Sequence, residues 1–377
     1  MKDKFLLLFI FLKFMTLEVK ERKEKNKMDL NELPFVSIII VNFNGRHFLN
    51  DCLKSLERLK YPKDKFEVIL VDNASSDGSV EYVKEKFPWV KILQLDKNYG
   101  FCKPNNEGAK IAKGDYLIFL NNDTIVTPEW LLELVKGVLS DKKVISCASK
   151  MLYCDKRNII NTAGGKITIV GGGFYRGYGE RDNGQYDKLE YTGFGCGAGV
   201  LVEKNFFLNV MGGFDEMYFA SCEEHELGLR IWMYGYKVLY VPTAVLYHKE
   251  SGTYGSRSSF HPVKVYLIVR NRLFNILKNF EPINVIKGFL ISIGFDLYRA
   301  IKYLLDKNIN SAKAIARAYV DFIKNIKNTL KKRKKIQMKR KRRDKELYTL
   351  GVIANLKECI LEEMRLTNVW KDVFFKA

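Results

Sequence analysis

Residues 114–130, GDYLIFLNNDTIVTPEW, contain the pattern that decides the fold. Within it, Tyr116–Leu120 is a short and mostly apolar run without helical periodicity, which predicts a buried strand inside a sheet. The run ends at the polar residues 121–123, and Pro128 marks the start of a helix predicted over Trp130–Leu139. Polar residues at the carboxyl end of a parallel strand lie where open α/β sheets bind ligands. The alternative is a strand-to-helix turn in which these residues only cap the helix.

Three further strands and three further helices are predicted before this stretch, and they alternate along the chain. Each strand is a short apolar run, and the helices carry apolar residues at helical spacing. The predicted strands are Val36–Val41, Phe66–Val71 and Val90–Leu95, and the predicted helices are His47–Leu59, Ser79–Lys86 and Asn105–Ala112. This alternation with short loops predicts an α/β fold with a doubly wound, mostly parallel sheet.

Each predicted strand is followed by its own group of polar residues. These groups are Asn42 and Asn44, Asp72 and Asp77, Asn98 and Gly100, and Asn122 and Asp123. Because parallel strands point the same way, all four groups are expected at one edge of the sheet. Turn formation explains any one of them, whereas four successive groups that include acids favour a binding site. Amide and carboxylate groups suit a nucleotide, and a hard cation held by oxygen atoms suits a diphosphate.

Composition limits the class of protein. With 377 residues, of which 47% are hydrophobic, the chain can form one large domain with an appendage or two ordinary domains. The net charge is +20, and residues 324–345 contain thirteen Lys or Arg against one Asp, so most of the excess belongs to one segment. The seven cysteines form no C-x-x-C pair, which argues against a zinc or disulfide framework and indicates reduced, mostly buried thiols of an intracellular protein.

Several ordered motifs together resemble one known family. VSIIIVNFNG, VDNASSDGS, NYGFCKPNNEG and DYLIFLNNDTIVTPEWL are similar to the successive donor-site blocks of family 2 glycosyltransferases, which have the GT-A fold, and the rhamnosyltransferase-like branch is the most similar. Downstream, GGFDEMYFASCEEHELGLRIWMYGYKV resembles the acceptor-side block of that family, and YHKESG its late His block. The likeness covers residues 35–278, and six motifs in order are more specific than any one alone.

The resemblance implies a donor site for a UDP- or dTDP-linked sugar. Asp72 matches the acid that contacts the base and ribose of the donor, and Asp77 matches a position that fixes its loop. Gly197 and Ala198 match small residues below the sugar pocket. The other nucleotide-binding positions implied are Asn42, Asn44, Asn98, Gly100 and Asn122.

The resemblance also implies a cation, Mn²⁺ or Mg²⁺. Asp123 matches the last acid of the family's D-x-D motif, and His248 matches a histidine near the metal and the diphosphate. Asn121 replaces the first acid of the motif, so the cation would depend on diphosphate oxygens and water. Strict metal dependence therefore stays open.

The segment Cys222–Leu227 is expected to carry the chemistry. Transfer to an alcohol needs a base close to the attacking hydroxyl, and the resemblance gives that role to Glu224, with His225 as a rival. Glu223 and Glu226 are the neighbouring acids of the acceptor and sugar pocket, and Arg230 has the i,i+4 spacing to pair with Glu226. The alternative is a solvated acidic helix start that is stabilised by the helix dipole.

The family likeness divides the chain into three predicted regions. These are a leader over residues 1–34, a GT-A catalytic domain over 35–280 and a helical, basic extension over 281–377. The leader contains an apolar run, Phe5–Leu12, that is too short to span a bilayer. A membrane-surface anchor, a disordered leader and sequence upstream of a true start at Met28 are the open alternatives.

The extension is expected to contain an amphipathic helix between Ile283 and Leu305. Its apolar positions are 286, 290, 293, 297, 301 and 304. Packing of this face onto the catalytic domain and insertion of the face into a membrane interface are the two interpretations. The basic run over 324–345 would attract anionic surfaces, so residues 283–345 are expected to meet an anionic membrane rather than nucleic acid, for which no fold motif is present.

The sequence therefore predicts an inverting glycosyltransferase that moves a sugar from a nucleotide-diphosphate donor to a hydroxyl of a glycan or lipid-linked acceptor. The expected location is cytoplasmic, with a peripheral position at the inner face of the cell membrane. One alternative is a sugar nucleotidyltransferase, but residues 42–46 poorly match the Gly-rich, Arg-containing loop that such enzymes have after the first strand. The other alternative is a basic nucleic-acid-binding protein.

Overall fold

The computed structural model describes residues 32–249, 261–362 and 365. Most of the predicted leader and Gly252 of the late His block lie outside the described residues. The strands of the described chain are β1 Val36–Asn42, β2 Phe66–Asp72, β3 Lys91–Gln94, β4 Tyr116–Asn121, β5 Thr124–Val126, β6 Val144–Tyr153, β7 Ile160–Ala163, β8 Gly165–Ile167, β9 Gly173–Tyr175, β10 Glu190–Tyr191, β11 Gly199–Glu203 and β12 Lys237–His248.

Helices cover the sheet and form the C-terminal part of the chain. They are α1 Arg46–Glu57, α2 Ser79–Lys86, α3 Cys102–Ile111, α4 Trp130–Leu139, α5 Glu223–Met233, α6 Pro262–Asn279, α7 Pro282–Leu305, α8 Ile309–Lys324, α9 Ile326–Met338 and α10 Asp344–Thr349. Single 3₁₀ turns occur at Lys63–Lys65 and Glu216–Tyr218, and a π-helix spans Phe206–Met211. None of the helices in the described ranges has the length and apolarity needed to cross a bilayer.

The main sheet has ten strands, and its continuous order is β10-β12-β6-β11-β4-β1-β2-β3, with β5 beside β12 and β7 beside β6. Strands β3, β2, β1 and β4 are parallel, whereas β11 is antiparallel to both of its neighbours. The predicted α/β sheet, mostly parallel and covered by helices, is therefore confirmed.

Two hydrophobic cores, one on each face, hold this sheet. Ile39 packs into the core that contains α3 and α5, while Ile38 and Ile40 pack into the core that contains α1 and α4. The same alternation holds in β4, where Phe119 belongs to the first core and Ile118 to the second. Burial on both faces explains why these strands are continuous apolar runs.

The parallel register brings the polar strand ends to one edge. Asn42 lies opposite Asp72, Val41 lies opposite Asn121, and Asp72 lies opposite Gln94. The sequence-based prediction that these groups share one edge is therefore confirmed.

The short strand β5 is one of several strands that were not predicted. The sequence indicated a direct turn from residue 123 into α4, but β5 intervenes and pairs antiparallel with the end of β12, with Thr124 opposite His248. Strand β12 accommodates Pro242, which cannot donate to the ladder, because its register shifts between Val241 and Val245.

Helix α7 corrects one prediction about packing. The helix forms, but its six apolar positions 286, 290, 293, 297, 301 and 304 are all exposed, so the interpretation that this face packs on the catalytic domain is wrong. The opposite face packs instead, through buried Ser292, Asp296 and Tyr303. Asp296 accepts two hydrogen bonds from Arg272 of α6, at 2.8 and 2.9 Å, and a third from Tyr319 of α8.

Much of the basic run is bonded to the rest of the protein. Arg333 donates to the carbonyl oxygens of Leu277 and Phe280 at the end of α6. Arg342 donates to the carbonyl oxygens of Trp232, Gly235 and Tyr236 at the end of α5. Cations are favourable at helix C-termini, where the last carbonyl groups lack helical partners. Part of the positive charge therefore stabilises the fold.

A buried ionic network joins α5, α6 and α9. The Lys278 ammonium, which is fully buried, lies 2.7 Å from Asp215 and 2.8 Å from Glu226. Glu226 also pairs with Arg230, as the i,i+4 spacing predicted, and Asp215 pairs with Lys332. Burial raises the pKa of Asp215 and Glu226, but the neighbouring cations outweigh it, so both pKa values lie below their ordinary range.

We predict that Lys278→Met lowers the free energy of unfolding at pH 7 by about 3 kcal/mol or more, because two buried carboxylates lose their shared cation. Depressed carboxyl pKa values stabilise the fold above the unfolded-state pKa of about 4, and this stabilisation disappears as the pH falls. The difference between the variant and the wild type should therefore shrink below about pH 4. Chemical denaturation at several pH values between 3 and 8 measures this difference in the free energy of unfolding.

The matched control for this experiment is Lys110→Met, which removes a surface pair with Glu107. Its stability should stay close to that of the wild type at every pH, because exposed pairs contribute little. Equal effects of the two substitutions would contradict the assignment of Lys278 to a buried network.

Candidate active site

The ends of β1, β2 and β4 form a connected polar cluster. The Asn122 side chain donates to Asn42 Oδ1 at 2.7 Å, and Asn42 Nδ2 donates to Asp72 Oδ1 at 3.5 Å and to Ser75 Oγ at 3.1 Å. Ser75 N donates to the other oxygen of Asp72 at 3.1 Å. Asn42 and Asp72 are buried. A carboxylate held in this way is oriented before any ligand arrives.

The loops after β1 and β2 are bonded to each other. Asn44, in the left-handed region at φ 51°, accepts from Ser76 N at 2.8 Å, and Asp77 accepts from Arg46 N at 2.9 Å. Burial raises the pKa of Asp77, but hydrogen bonds from Ser79 and Arg46 outweigh it and lower the pKa below its ordinary value. These bonds are consistent with the predicted role of Asp77 in fixing the loop.

Asn73 organises the loop after β3, and the sequence did not single it out. Its side chain donates to Asn98 Oδ1 at 2.9 Å and to the Gly100 carbonyl at 2.8 Å, and it accepts from Tyr99 N. Gly100 has φ +78°, and a Cβ there would lie 2.4 Å from the carbonyl oxygen of Phe219. The close approach ties the predicted nucleotide side to the segment that leads into α5.

Strand β5 brings Asp123 next to His248. His248 Nε2 lies 3.3 Å from Asp123 Oδ1, and both side chains are buried. On its other side, His248 Nδ1 lies 3.2 Å from Asn161 Oδ1. If Nδ1 carries the proton to Asn161, then Nε2 keeps its lone pair toward Asp123. Asn161 lies on β7, 87 residues before His248, and no local pattern pointed to it.

A carboxylate oxygen and an imidazole nitrogen side by side fit a divalent cation. Nitrogen and oxygen ligands suit Mn²⁺, whereas Mg²⁺ prefers oxygen alone. In the described ranges, no group of three or more His, Cys, Asp or Glu side chains is arranged so that it could hold a metal ion. The residues Asp123 and His248 could therefore hold a cation only together with ligand oxygens or water.

Glu224 lies in the first turn of α5 and has a defined partner. The Tyr175 hydroxyl donates to Glu224 Oε1 at 2.8 Å, and His225 Nε2 lies 3.8 Å from the same oxygen. Burial raises the pKa of Tyr175, so its hydroxyl keeps the proton that it donates. Tyr175 ends the hairpin β8–β9.

Burial shifts the pKa of Glu223 and of His225, the two neighbours of Glu224 in the chain. Burial, and then the charge of Glu224, raise the pKa of Glu223 well above its ordinary value, which favours the neutral acid. Burial lowers the pKa of His225, whose ring stands perpendicular to that of Phe194 at 4.5 Å. A neutral acid is therefore favoured beside the glutamate that Tyr175 contacts.

The turn before α5 has a strained backbone. Phe219, Ser221 and Cys222 have φ values of 64°, 75° and 70°, which residues with a Cβ rarely adopt. Asn271 of α6 donates to the carbonyl oxygens of Tyr218, Ala220 and Ser221 and so holds the turn. Such strain persists only where the surroundings enforce it, and it is frequent at functional sites.

Residues 196–198 connect the nucleotide side with Glu224. The Ala198 carbonyl accepts from Asn121 N at 3.3 Å, and a Cβ on Gly197 would lie 3.4 Å from the Phe101 ring. Cys196 contacts the Tyr175 hydroxyl. Gly197 and Ala198 thus lie between the end of β4 and the tyrosine that contacts Glu224.

Two predicted pocket residues are bonded in the interior instead. Glu226 is 1% exposed, and its oxygens accept from Arg230, Lys278 and Asn279. Arg230 also donates to the Met211 carbonyl. We therefore assign these two residues to holding α5 rather than to contacting a sugar.

Part of this site lies in a segment that matches a known protein family. Residues 37–206 match the family described as "Glycosyl transferase family 2". The predicted resemblance to family 2 glycosyltransferases is therefore confirmed over this segment, which is just under half of the chain. The matched segment begins in β1 and ends after β11, so it includes the polar edge of the sheet and residues 196–198.

A relative and two solved structures give the extent of the similarity. "Probable glycosyltransferase YdaM" of Bacillus subtilis (strain 168) is 26% identical over 250 residues, which are 65% of this chain and 57% of that protein. The fold is similar to S. aureus TarS 1-349 in complex with UDP-GlcNAc, with a TM-score of 0.55 and 20% identity over 77% of this chain and 80% of that chain. It is also similar to GalNAc-T7 with UDP, GalNAc and Mn2+, with a TM-score of 0.52 and 20% identity over 66% of this chain and 48% of that chain.

These similarities confirm the GT-A fold class of the chain. They do not single out the rhamnosyltransferase-like branch, which stays a prediction. The chain spans just over half the length of the YdaM relative, and smaller shares of the next three curated relatives.

We predict that Tyr175→Phe lowers the turnover number about tenfold, because the hydrogen bond that orients the Glu224 carboxylate is lost. Donor affinity should be unchanged, since Tyr175 contacts none of the polar residues at the ends of β1, β2 and β4. Steady-state kinetics and calorimetric titration with UDP separate the two effects.

Tyr186→Phe is the matched control for Tyr175→Phe. It removes a hydroxyl that donates to Glu180, in the segment that follows the same hairpin. Activity should be retained in this variant. An equal loss in both variants would show that the segment as a whole, rather than the bond to Glu224, matters.

Proposed function

We propose that this protein is an inverting glycosyltransferase of the hexosyl or rhamnosyl type. It would move a sugar from a UDP- or dTDP-linked donor to a hydroxyl of a glycan or lipid-linked acceptor. The observation that carries the proposal is the connection, through residues 196–198, between the buried Asp72 cluster and a glutamate oriented by Tyr175. That arrangement supplies a base and a nucleotide-binding edge in one continuous site.

The donor would lie along the carboxyl edge of the parallel strands. Asp72 would accept hydrogen bonds from the base and ribose, with Asn42, Asn44 and Asn122 around it. Asn98 and Gly100, held by Asn73, would border the nucleotide on its other side. The structure of TarS with UDP-GlcNAc, which shares this fold, supports a uridine nucleotide as the first candidate.

Glu224 would act as the general base. It would take the proton of the acceptor hydroxyl while the oxygen attacks the anomeric carbon from the face opposite the diphosphate, and the bond from that carbon to the diphosphate oxygen would break. Attack from the opposite face inverts the configuration. Glu223, whose raised pKa favours the neutral form, would line the acceptor pocket without competing for that proton.

Asp123 and His248 would hold Mn²⁺ or Mg²⁺ beside the diphosphate. A bound cation would supply positive charge against the leaving nucleoside diphosphate. Mn²⁺ is the cation named with UDP in the GalNAc-T7 structure, which supports it as the first cation to test.

The enzyme would be cytoplasmic and would bind peripherally to an anionic membrane through residues 283–345. It would have no nucleic-acid partner. The family match supports sugar transfer over nucleotidyl transfer, and a test for pyrophosphate release from nucleoside triphosphates separates the two reactions.

We predict that Glu224→Gln lowers the transfer rate by about a hundredfold or more, because the acceptor hydroxyl loses its base. UDP should bind as it does to the wild type. A thermal-shift screen of UDP-, dTDP- and GDP-sugars with and without Mn²⁺ selects the donor, and release of the nucleoside diphosphate then reports transfer.

Glu223→Gln is the matched control in the same helical turn. Since Glu223 favours its neutral form, the amide should preserve most of the maximal rate. If Glu224→Gln keeps the wild-type rate, Glu224 is not the general base.

We also predict that Asp123→Asn raises the Mn²⁺ concentration needed for half-maximal activity by about tenfold or more, because a charged ligand becomes neutral. Titration of activity with Mn²⁺ measures the shift. Thermal stabilisation by UDP with and without Mn²⁺ gives a second readout, since only the metal-dependent part should decrease. Identical Mn²⁺ dependence in the variant would exclude Asp123 as a ligand.

A further inference from the structure

Helix α7 presents a long apolar face to solvent. Its 24 residues extend about 36 Å, at 1.5 Å per residue. Side chains on this face are between 44% and 67% exposed, and they are Ile283, Ile286, Leu290, Ile293, Leu297, Ile301 and Leu304. Soluble monomers rarely expose apolar patches of this length, and such patches mark interaction surfaces.

The other face of α7 fixes the direction of this patch. The buried pair of Asp296 with Arg272 joins the helix to α6, and Tyr319 of α8 donates to the same carboxylate. A Cβ on Gly288 would lie 2.6 Å from the carbonyl oxygen of Ile169, so the helix also approaches the loop of the hairpin β8–β9 closely. The helix cannot turn its apolar face inward without breaking a buried ion pair.

The exposed charges of the C-terminal helices are almost all positive. Between residues 282 and 345, Asp306 is the one exposed acid, because Asp296 and Asp344 are buried and Asp321 is half-buried. The exposed cations of the same range are Lys287, Lys302, Lys307, Lys313, Arg317, Lys324, Lys327, Lys331, Lys334, Lys335, Lys339, Lys341, Arg343 and Lys345. This charge complements an anionic surface, whereas pairing two copies of the face would bring like charges together.

We propose that α7 lies in the interface of an anionic membrane, with its axis in the membrane plane. The apolar face would enter the boundary between headgroups and acyl chains, and Lys287 and Lys302 would reach the anionic headgroups. The partner of this face is a lipid surface with an apolar interior and negative headgroups. The apolar face requires the interior, and the exposed cations of the C-terminal helices require the negative headgroups.

Helix α7 is linked through α6 to the turn that precedes Glu224. Arg272, which pairs with α7, follows Asn271, whose side chain holds the strained turn before Glu224. Asn275 of the same helix donates to the Cys222 carbonyl. Helix α6 therefore contacts both α7 and the turn that precedes Glu224, and a lipid-linked acceptor at α7 would approach the base from the side of α6. This last step rests on the proposed transfer function, whereas membrane binding does not.

Vesicle flotation with the full chain tests the proposal. The wild type should float with phosphatidylcholine vesicles that contain phosphatidylglycerol and less with pure phosphatidylcholine, and added salt should weaken the binding. Leu290→Glu combined with Leu297→Glu should reduce binding by about tenfold or more, because two apolar side chains would no longer enter the interface. Both positions are exposed, so the variant should keep the wild-type melting temperature and circular dichroism spectrum.

The matched control is Leu139→Glu combined with Leu189→Glu, which makes the same chemical change at two exposed leucines outside α7. Binding by this variant should equal that of the wild type. The proposal is overturned if the wild type ignores anionic vesicles, or if the two double variants bind alike. It is also overturned if sedimentation shows a wild-type dimer that Leu290→Glu with Leu297→Glu dissociates, while vesicle binding is unaffected.

Failure of this inference can be told apart from failure of the proposed function. Thermal stabilisation by the selected nucleotide sugar does not require a membrane and should be the same in both double variants. If the wild type binds the nucleotide sugar but not the vesicles, only the proposed membrane binding is wrong. If it binds the vesicles but no nucleotide sugar, only the proposed transfer function is wrong.

Discussion

The in-register pairing of β1 with β2 and β4 is the constraint on which the site depends. It sets Asn42 opposite Asp72 and Val41 opposite Asn121. A shift of one residue would turn the Asp72 side chain to the other face of the sheet and would also exchange the residues of the two cores. Because Ile38 and Ile39 are buried on opposite faces, the same apolar packing that stabilises the strands also fixes the polar edge.

Local patterns predicted much of this framework. Helices α2 and α4 have the predicted bounds, and the predicted strands β1, β2 and β4 each extend by one residue into the polar edge. These elements are encoded by apolar spacing and by turn residues within a few positions of each other, which is the range over which sequence patterns operate. The polar edge could be predicted for the same reason, since it follows from strand direction.

The contacts that complete the site could not be predicted in this way. Tyr175 meets Glu224 across 49 residues, and Asn161 meets His248 across 87. The strands involved, the hairpin β8–β9 in the first case and β7 in the second, pair locally, but their contact with a distant segment leaves no local pattern in the sequence. Strand β5, with three residues, is too short to have a periodicity, yet its pairing with β12 brings Asp123 to His248.

Helix α7 shows why correct periodicity can still give the wrong orientation. The spacing identified an amphipathic helix, and the usual expectation turns the apolar face inward. The structure instead buries Asp296, which is acceptable only because Arg272 and Tyr319 satisfy its oxygens. The same helix α6 that supplies Arg272 also holds the strained turn before Glu224. One helix therefore contacts the turn before the candidate base on one side and the helix with the exposed apolar face on the other.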